Sequence, residues 1–230
     1  MVLFIPVLPL QRLRAIVGRY MAAAEVPKSW PKSTVYLSRP VYSKTVSPSL
    51  LRLHRPNLPP NAVVVPTSNR PTSAVKVCAV TSLSHPAHGQ YGLFASRRLP
   101  ADSFIVLYLG YVHGKTDTDS NSDYDLSLDR DLGLGVDASK MGNEARFIND
   151  FRGVADSPNS EFREVWVDSN SGYLEKMMAV FALPAGRSGK RAKGIAKGEE
   201  IIVSYGKGFW TERQSEQAET NGTTVDHNDT

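Results

Sequence analysis

From Val75 onward the chain is built of short apolar runs that do not hold a helical period. Val75–Val80, Phe104–Leu109, Tyr124–Leu128, Phe162–Val167, Met177–Phe181 and Ile201–Tyr205 are rich in β-branched and aromatic residues, which predicts strands. Turn residues separate them, as in Leu99-Pro100-Ala101-Asp102. Ala138–Asp150 is the one stretch that predicts a helix. Many short strands with little helix predict a mainly β domain, a β-rich α+β arrangement of small sheets, over residues 75–210. No internal repeat is visible.

Before Val75 the pattern is different. Thirteen of the 15 prolines lie in residues 1–100. Stretches such as Arg55-Pro56-Asn57-Leu58-Pro59-Pro60 cannot propagate a helix or a central strand. Residues 25–72 are therefore expected to be mostly linker, extended or polyproline-like. The first 24 residues carry no acid and three arginines (Arg12, Arg14, Arg19), and Leu10, Leu13, Val17 and Tyr20 fall near helical spacing. That composition partly suits a mitochondrial transit peptide, although it is poor in serine. It equally suits an amphipathic helix packed on the domain, or a segment with no role. Residues 1–74 are thus expected to form a basic, proline-rich, largely disordered extension. The polar, acidic tail 211–230 is expected to be disordered too.

Charge sharpens this division. The net charge of +4 splits into +12 over residues 1–101 and −8 over residues 102–230. A basic arm of this kind either meets nucleic acid, an acidic membrane surface or an import machinery, or is simply solvated. The nucleic-acid contact expected of it is weak, because no recognised binding motif accompanies it. Residues 186–197 form a second basic stretch between two predicted strands, again a phosphate contact or a solvated loop. With one cysteine, Cys78, the chain can build neither an internal disulfide framework nor a cysteine-based zinc cluster. A reducing compartment follows, nuclear or cytoplasmic, with the mitochondrion as the alternative raised by the first 24 residues. No run approaches the roughly 18 apolar residues of a membrane span.

Three segments carry candidate chemistry. The first is Gly89-Gln90-Tyr91-Gly92-Leu93-Phe94-Ala95, followed by Phe104-Ile105-Val106-Leu107-Tyr108-Leu109-Gly110. Glycine at a strand end lets the backbone approach a ligand closely, or merely makes a tight turn. The second is Asp137-Ala138, then Gly142-Asn143-Glu144-Ala145-Arg146-Phe147-Ile148-Asn149-Asp150, then Pro158-Asn159. Buried asparagine needs several hydrogen-bond partners, from its own loop or from a polar ligand. The third is Gly198-Glu199-Glu200-Ile201-Ile202-Val203-Ser204-Tyr205-Gly206, then Phe209-Trp210. A tyrosine at such a strand end packs its ring and ties its hydroxyl to backbone, or serves a site.

Together and in this order, the segments resemble the SET-domain protein-lysine methyltransferase family. The first resembles its opening glycine motif and its "fI-x-x-Y-x-G" strand. The second resembles "D-A-x-x-x-G-N-x-A-R-F-I-N-H-S-C-x-P-N", and the third "G-E-E-I-x-x-x-Y-G". Tyr124-Asp125-Leu126-Ser127-Leu128-Asp129 looks like the strand carrying an active-site tyrosine. The resemblance covers roughly residues 75–210. It implies small curved β-sheets with a knot-like C-terminal segment that brings Asn149 and Tyr205 together.

The function implied is transfer of a methyl group from S-adenosyl-L-methionine to a protein lysine, possibly in a histone tail on chromatin, leaving S-adenosyl-L-homocysteine. By resemblance, Tyr205 is the catalytic tyrosine, with Tyr124 and Tyr108 lining the lysine channel. Gln90, Tyr91, Gly92 and Leu93 offer backbone to the cofactor. Arg146, Phe147, Asn149 and Asp150 form the other side of its pocket, and Tyr205 and Phe209 or Trp210 complete it. No metal site is expected. Two departures stand out. Asp150 occupies the family's usual histidine position, with Arg152 or Arg146 available to pair with it. The cysteine-rich zinc segments that flank many relatives are missing. They motivate the alternative of a non-catalytic SET-like module that binds cofactor, chromatin or a protein partner.

Overall fold

A computed structural model describes residues 26–27, 30–66, 73–168, 172–187, 189 and 191–211. Its spine is the antiparallel hairpin Ser160–Asp168 and Tyr173–Ala182, in register from Ser160 opposite Ala182 to Asp168 opposite Leu174. Period-two alternation sends neighbouring residues of the second strand to opposite faces. Met178, Val180 and Ala182 enter one apolar cluster, and Ala179 and Phe181 the other. Both faces are covered there, so Met177–Ala182 reads as an unbroken apolar run instead of an alternating one. Phe104–Tyr108 and Arg52–His54 pair antiparallel with successive parts of Tyr173–Ala182, and Val64–Pro66 adds in parallel to the partner strand.

A second sheet orders Val41–Tyr42, Tyr111–Gly114, Leu134–Asp137 and Asp125–Asp129. Val75–Ala79 pairs with Tyr91–Ala95. Two short parallel pairs complete the fold: Val35–Tyr36 with Met141–Gly142, and Asn149–Asp150 with Ile202–Val203. The architecture is strand-rich, and all six predicted strands are present. Tyr173–Ala182 starts earlier than expected, and the last strand shrinks to Ile202–Val203. Among the described residues, no helix is long and apolar enough to cross a membrane.

Two expectations are corrected. Ala138–Asp150 is not a helix but a strand, Met141–Gly142, a 3-10 turn, Glu144–Phe147, and a strand, Asn149–Asp150. Distant strands claim both ends of the stretch. Of residues 25–72, the described stretch 30–66 is not mostly linker, because four short strands between Val35 and Pro66 join the sheets. Tyr36, Leu37, Val46, Leu51 and Val65 bury their side chains in the core. The prolines sit where their missing N–H costs nothing: Pro48 and Pro56 open 3-10 turns, and Pro66 ends a strand at a sheet edge. The transit-like segment 1–24 and the tail from 212 lie outside the described residues.

Asn143 ties the site-bearing 3-10 turn to the main sheet. Its side-chain oxygen accepts from the Leu109 N–H at 3.1 Å, and its amide donates to the Leu107 carbonyl at 2.7 Å. The side chain is buried, so no water can replace either bond. Asn143→Ala is expected to lower stability by about 2–3 kcal/mol, as two buried backbone groups lose their partner. Urea unfolding followed by tryptophan fluorescence measures this.

Candidate active site

The last strand draws the three segments together. On one edge, the Ile201 N–H donates to the Leu93 carbonyl at 2.7 Å and the Ala95 N–H donates to the Glu199 carbonyl at 2.9 Å. On the other, Ile202–Val203 pairs with Asn149–Asp150, and the Phe151 N–H donates to the Val203 carbonyl at 2.9 Å. Asn159 clamps the same strand, donating to the Glu200 carbonyl at 2.7 Å and accepting from the Ile202 N–H at 3.0 Å. The first and second segments thus lie on either side of the third, which ends in Tyr205.

Two hollows open at this junction. One, of about 570 Å³, is lined by Gln90, Tyr91, Arg146, Phe147 and Asn149, together with Tyr205 and Phe209. The other, of about 770 Å³, is lined by Tyr108, Leu126, Ile148 and Phe162, with Asp119, Asp123 and Asp125 among its polar groups. Asp123, Tyr124, Arg146, Tyr205 and Phe209 line both.

Asn149 donates to the Tyr91 carbonyl at 3.3 Å and to Glu200 Oε1 at 2.8 Å, while Glu200 Oε2 meets His85 Nε2 at 3.0 Å. This network explains Gly92. A Cβ there would lie 2.6 Å from Glu200 Oε1 and 3.2 Å from Asn149 Nδ2, so only glycine lets the carboxylate and amide approach the strand. His85 and Glu200 were not among the expected site residues. Glu200 lay inside the third motif as one acid among several, and only the fold shows which acid turns inward.

Arg146 donates to the Ala138 carbonyl at 2.9 Å and the Ser139 carbonyl at 3.2 Å. Its guanidinium lies 4.4 Å from the Tyr124 ring centre and 4.8 Å from that of Phe147. A cation held against two aromatic faces fixes both walls of the junction. Tyr108 is buried, and its hydroxyl donates to the Tyr124 carbonyl at 2.7 Å. Burial, followed by the nearby Asp137 charge, pushes its phenol well above the ordinary value.

Tyr205 is partly exposed, and its hydroxyl donates to the Ile148 carbonyl at 2.7 Å. Burial, then Tyr124, Asp150 and Glu200, raise its pKa, so the phenol keeps its proton at neutral pH. The Tyr205 N–H donates to Asp150 Oδ2 at 2.7 Å. Arg152 supplies Asp150 with its backbone N–H at 2.9 Å and its guanidinium at 2.9 and 3.0 Å, and the Trp210 indole reaches it at 3.4 Å. Burial raises the Asp150 pKa, but these donors outweigh it and hold the carboxyl below the usual carboxylate range. An acceptor-only side chain suits a position surrounded by donors.

The structure therefore gathers Gln90, Tyr91, Arg146, Phe147, Asn149, Tyr205 and Phe209 around one hollow, and Tyr108, Tyr124 and Tyr205 around the other. Gly92, Leu93, Asp150 and Trp210 line neither. Leu93 is fully buried in the core and its carbonyl is taken by Ile201. Asp150 and Trp210 are turned to each other and to Arg152. Among the described residues, no three His, Cys, Asp or Glu side chains come together as metal ligands.

Residues 90–206 match the family model described as SET domain. No curated protein matches the chain. Solved structures similar to it include an active polycomb repressive complex 2 in the basal state, at 26% identity over 58% of this chain and 15% of that one, with a TM-score of 0.43. The polycomb repressive complex 2 of Chaetomium thermophilum gives 25% identity over 58% and 15%, with a TM-score of 0.42. This chain thus spans about 15% of the length of those chains.

The low Asp150 pKa has a consequence for stability. A carboxylate depressed in the folded state stabilises the fold above its unfolded value, about 3.9, and loses that contribution as pH falls through the folded value. Asp150→Asn is expected to cost about 2 kcal/mol at neutral pH. The gap between variant and unaltered chain should close on acidification below about pH 4. Urea unfolding at a series of pH values checks both statements.

Proposed function

The chain belongs to the SET-domain family, and on that premise we propose that it methylates the side-chain nitrogen of a protein lysine, using S-adenosylmethionine as donor. The observation that carries this reading is the meeting of two hollows at Tyr205. Donor and acceptor can enter separately and face each other there.

The first hollow fits the cofactor. Tyr91, Phe147 and Phe209 offer aromatic surface for an adenine ring, and the Tyr91 backbone and Asn149 offer polar atoms, while the Gln90 backbone is spent on Ala87 and Val80. S-adenosylmethionine supplies an activated methyl group and the positive charge of its sulfonium. Asn149 acts in this reading by holding the Tyr91 carbonyl and Glu200 in place, and Arg146 by fixing the wall between the hollows.

The second hollow fits the lysine. Tyr124, Tyr108 and Phe162 form its aromatic lining, which accepts an alkyl stem and attracts an ammonium. A free lysine has a pKa of about 10.4, and transfer needs the neutral amine. Desolvation between these rings favours that form. Tyr205 keeps its proton, so its hydroxyl oxygen remains a neutral dipole that orients the amine without adding charge. Tyr108 fixes the Tyr124 backbone through its own hydroxyl. Asp123 and Asp125 line this hollow, with Asp125 also meeting His113, and their negative charge favours a lysine in a basic stretch, of the kind found in histone tails. No protein nucleophile is required, since alignment of the two reactants supplies the catalysis.

Tyr205→Phe is expected to lower methyl transfer about 100-fold while leaving cofactor affinity within about twofold. Transfer of labelled methyl to histones and to cell extract, with titration of S-adenosylhomocysteine, measures both. A chain that binds cofactor but never transfers would be the non-catalytic module. Asn149→Ala is expected to weaken S-adenosylhomocysteine binding about tenfold, because the Glu200 and Tyr91 oxygens lose their shared donor. Calorimetric titration gives that value directly.

A further inference from the structure

The cofactor-side hollow has a wall that the family-matched residues do not supply. Pro31, Ser33 and Thr34 line it alongside Tyr91, Phe147 and Asn149, yet the match begins at residue 90. Backbone pairing docks this stretch. Val35–Tyr36 runs parallel to Met141–Gly142, the Val35 N–H donates to the Lys140 carbonyl at 3.1 Å, and the Leu37 N–H donates to the Gly142 carbonyl at 2.7 Å.

Trp30 anchors its start. The indole N–H donates to the Thr34 carbonyl at 2.8 Å and closes a turn. The ring stands edge-on to Tyr36 at 4.9 Å and to Phe147 at 5.4 Å, and Phe147 in turn meets Tyr91 at 5.7 Å. A continuous row of aromatic contacts therefore runs from this segment into the hollow. Thr34 is buried while Ser33 is exposed. Both lie in a tight turn, closed by the Thr34 N–H on the Pro31 carbonyl at 3.2 Å, that leads into the strand.

We infer that residues 30–37 form a strap that completes the cofactor pocket, with Pro31 and Ser33 touching bound S-adenosylmethionine and Trp30 as their positioning residue. This rests on the methyltransferase reading. Cofactor affinity then depends on a segment that lies outside the matched domain and is docked on the second motif. The strap closes a side of the hollow, which removes water from the ligand and holds Phe147 in one orientation.

The experiment is calorimetric titration of the full chain, Ser33→Trp and Trp30→Ala with S-adenosylhomocysteine, alongside thermal unfolding without ligand. Ser33 is exposed, so Ser33→Trp should unfold at the unaltered temperature yet lose binding at least about tenfold by filling the hollow. Trp30→Ala should raise the dissociation constant about tenfold. It should also raise KM for the methyl donor, with kcat at saturating donor close to the unaltered value. Binding by Ser33→Trp within about twofold of the unaltered chain would overturn the strap. Failure of the unaltered chain to bind would overturn the cofactor reading itself, and the strap with it.

Discussion

The parallel pairing of Asn149–Asp150 with Ile202–Val203 is the constraint on which the site depends. It is only two residues long and would not persist alone. It is held because neighbouring side chains bond its backbone. Asn159 bonds the strand through both ends of its amide, and the Ser160 hydroxyl donates to the Ile202 carbonyl at 2.8 Å. Asp150 then receives the backbone N–H of Tyr205, two residues beyond the strand end. A buried strand of this length is stable only when side chains complete the hydrogen bonding that longer ladders provide for themselves.

The same economy gives Asp150 a structural meaning. Tyr205 N–H, Arg152 and the Trp210 indole all point donors at one side chain. A carboxylate accepts all of them, which a neutral histidine cannot do. The departure from the family's usual residue is thereby absorbed within the protein, away from both hollows. Phe209, in the helical turn after Tyr205, and Pro31, Ser33 and Thr34, far from it in sequence, line the same hollow.

Much of the site was legible in the order of three motifs. The six strands were visible as β-branched runs, and Tyr205, Asn149, Arg146, Phe147 and Tyr91 do meet around one hollow. What was not legible follows from tertiary competition. Ala138–Asp150 has the composition of a helix, but Asn143 spends its amide on Leu107 and Leu109, and flanking residues pair with strands far away in sequence. Proline-rich residues 35–66 look like linker because local propensity cannot count partners. Arg52–His54 and Val64–Pro66 fill the two edges of the main sheet, Val41–Tyr42 adds to the second sheet, and Val35–Tyr36 pairs with Met141–Gly142.

By itself, the sequence determined the class of fold, the family and the residues available for chemistry, because these follow from side-chain type, spacing and order along the chain. Only the tertiary structure decided which of them line a hollow. Leu93 belongs to the core, Asp150 to a web of donors, and Gly92 to the close approach of Glu200 and Asn149. Likewise, that Trp30 stands against Phe147 is set by a parallel strand pair between residues over a hundred positions apart. Such contacts arise from burial and hydrogen-bond completion across the whole chain, and no local pattern encodes them.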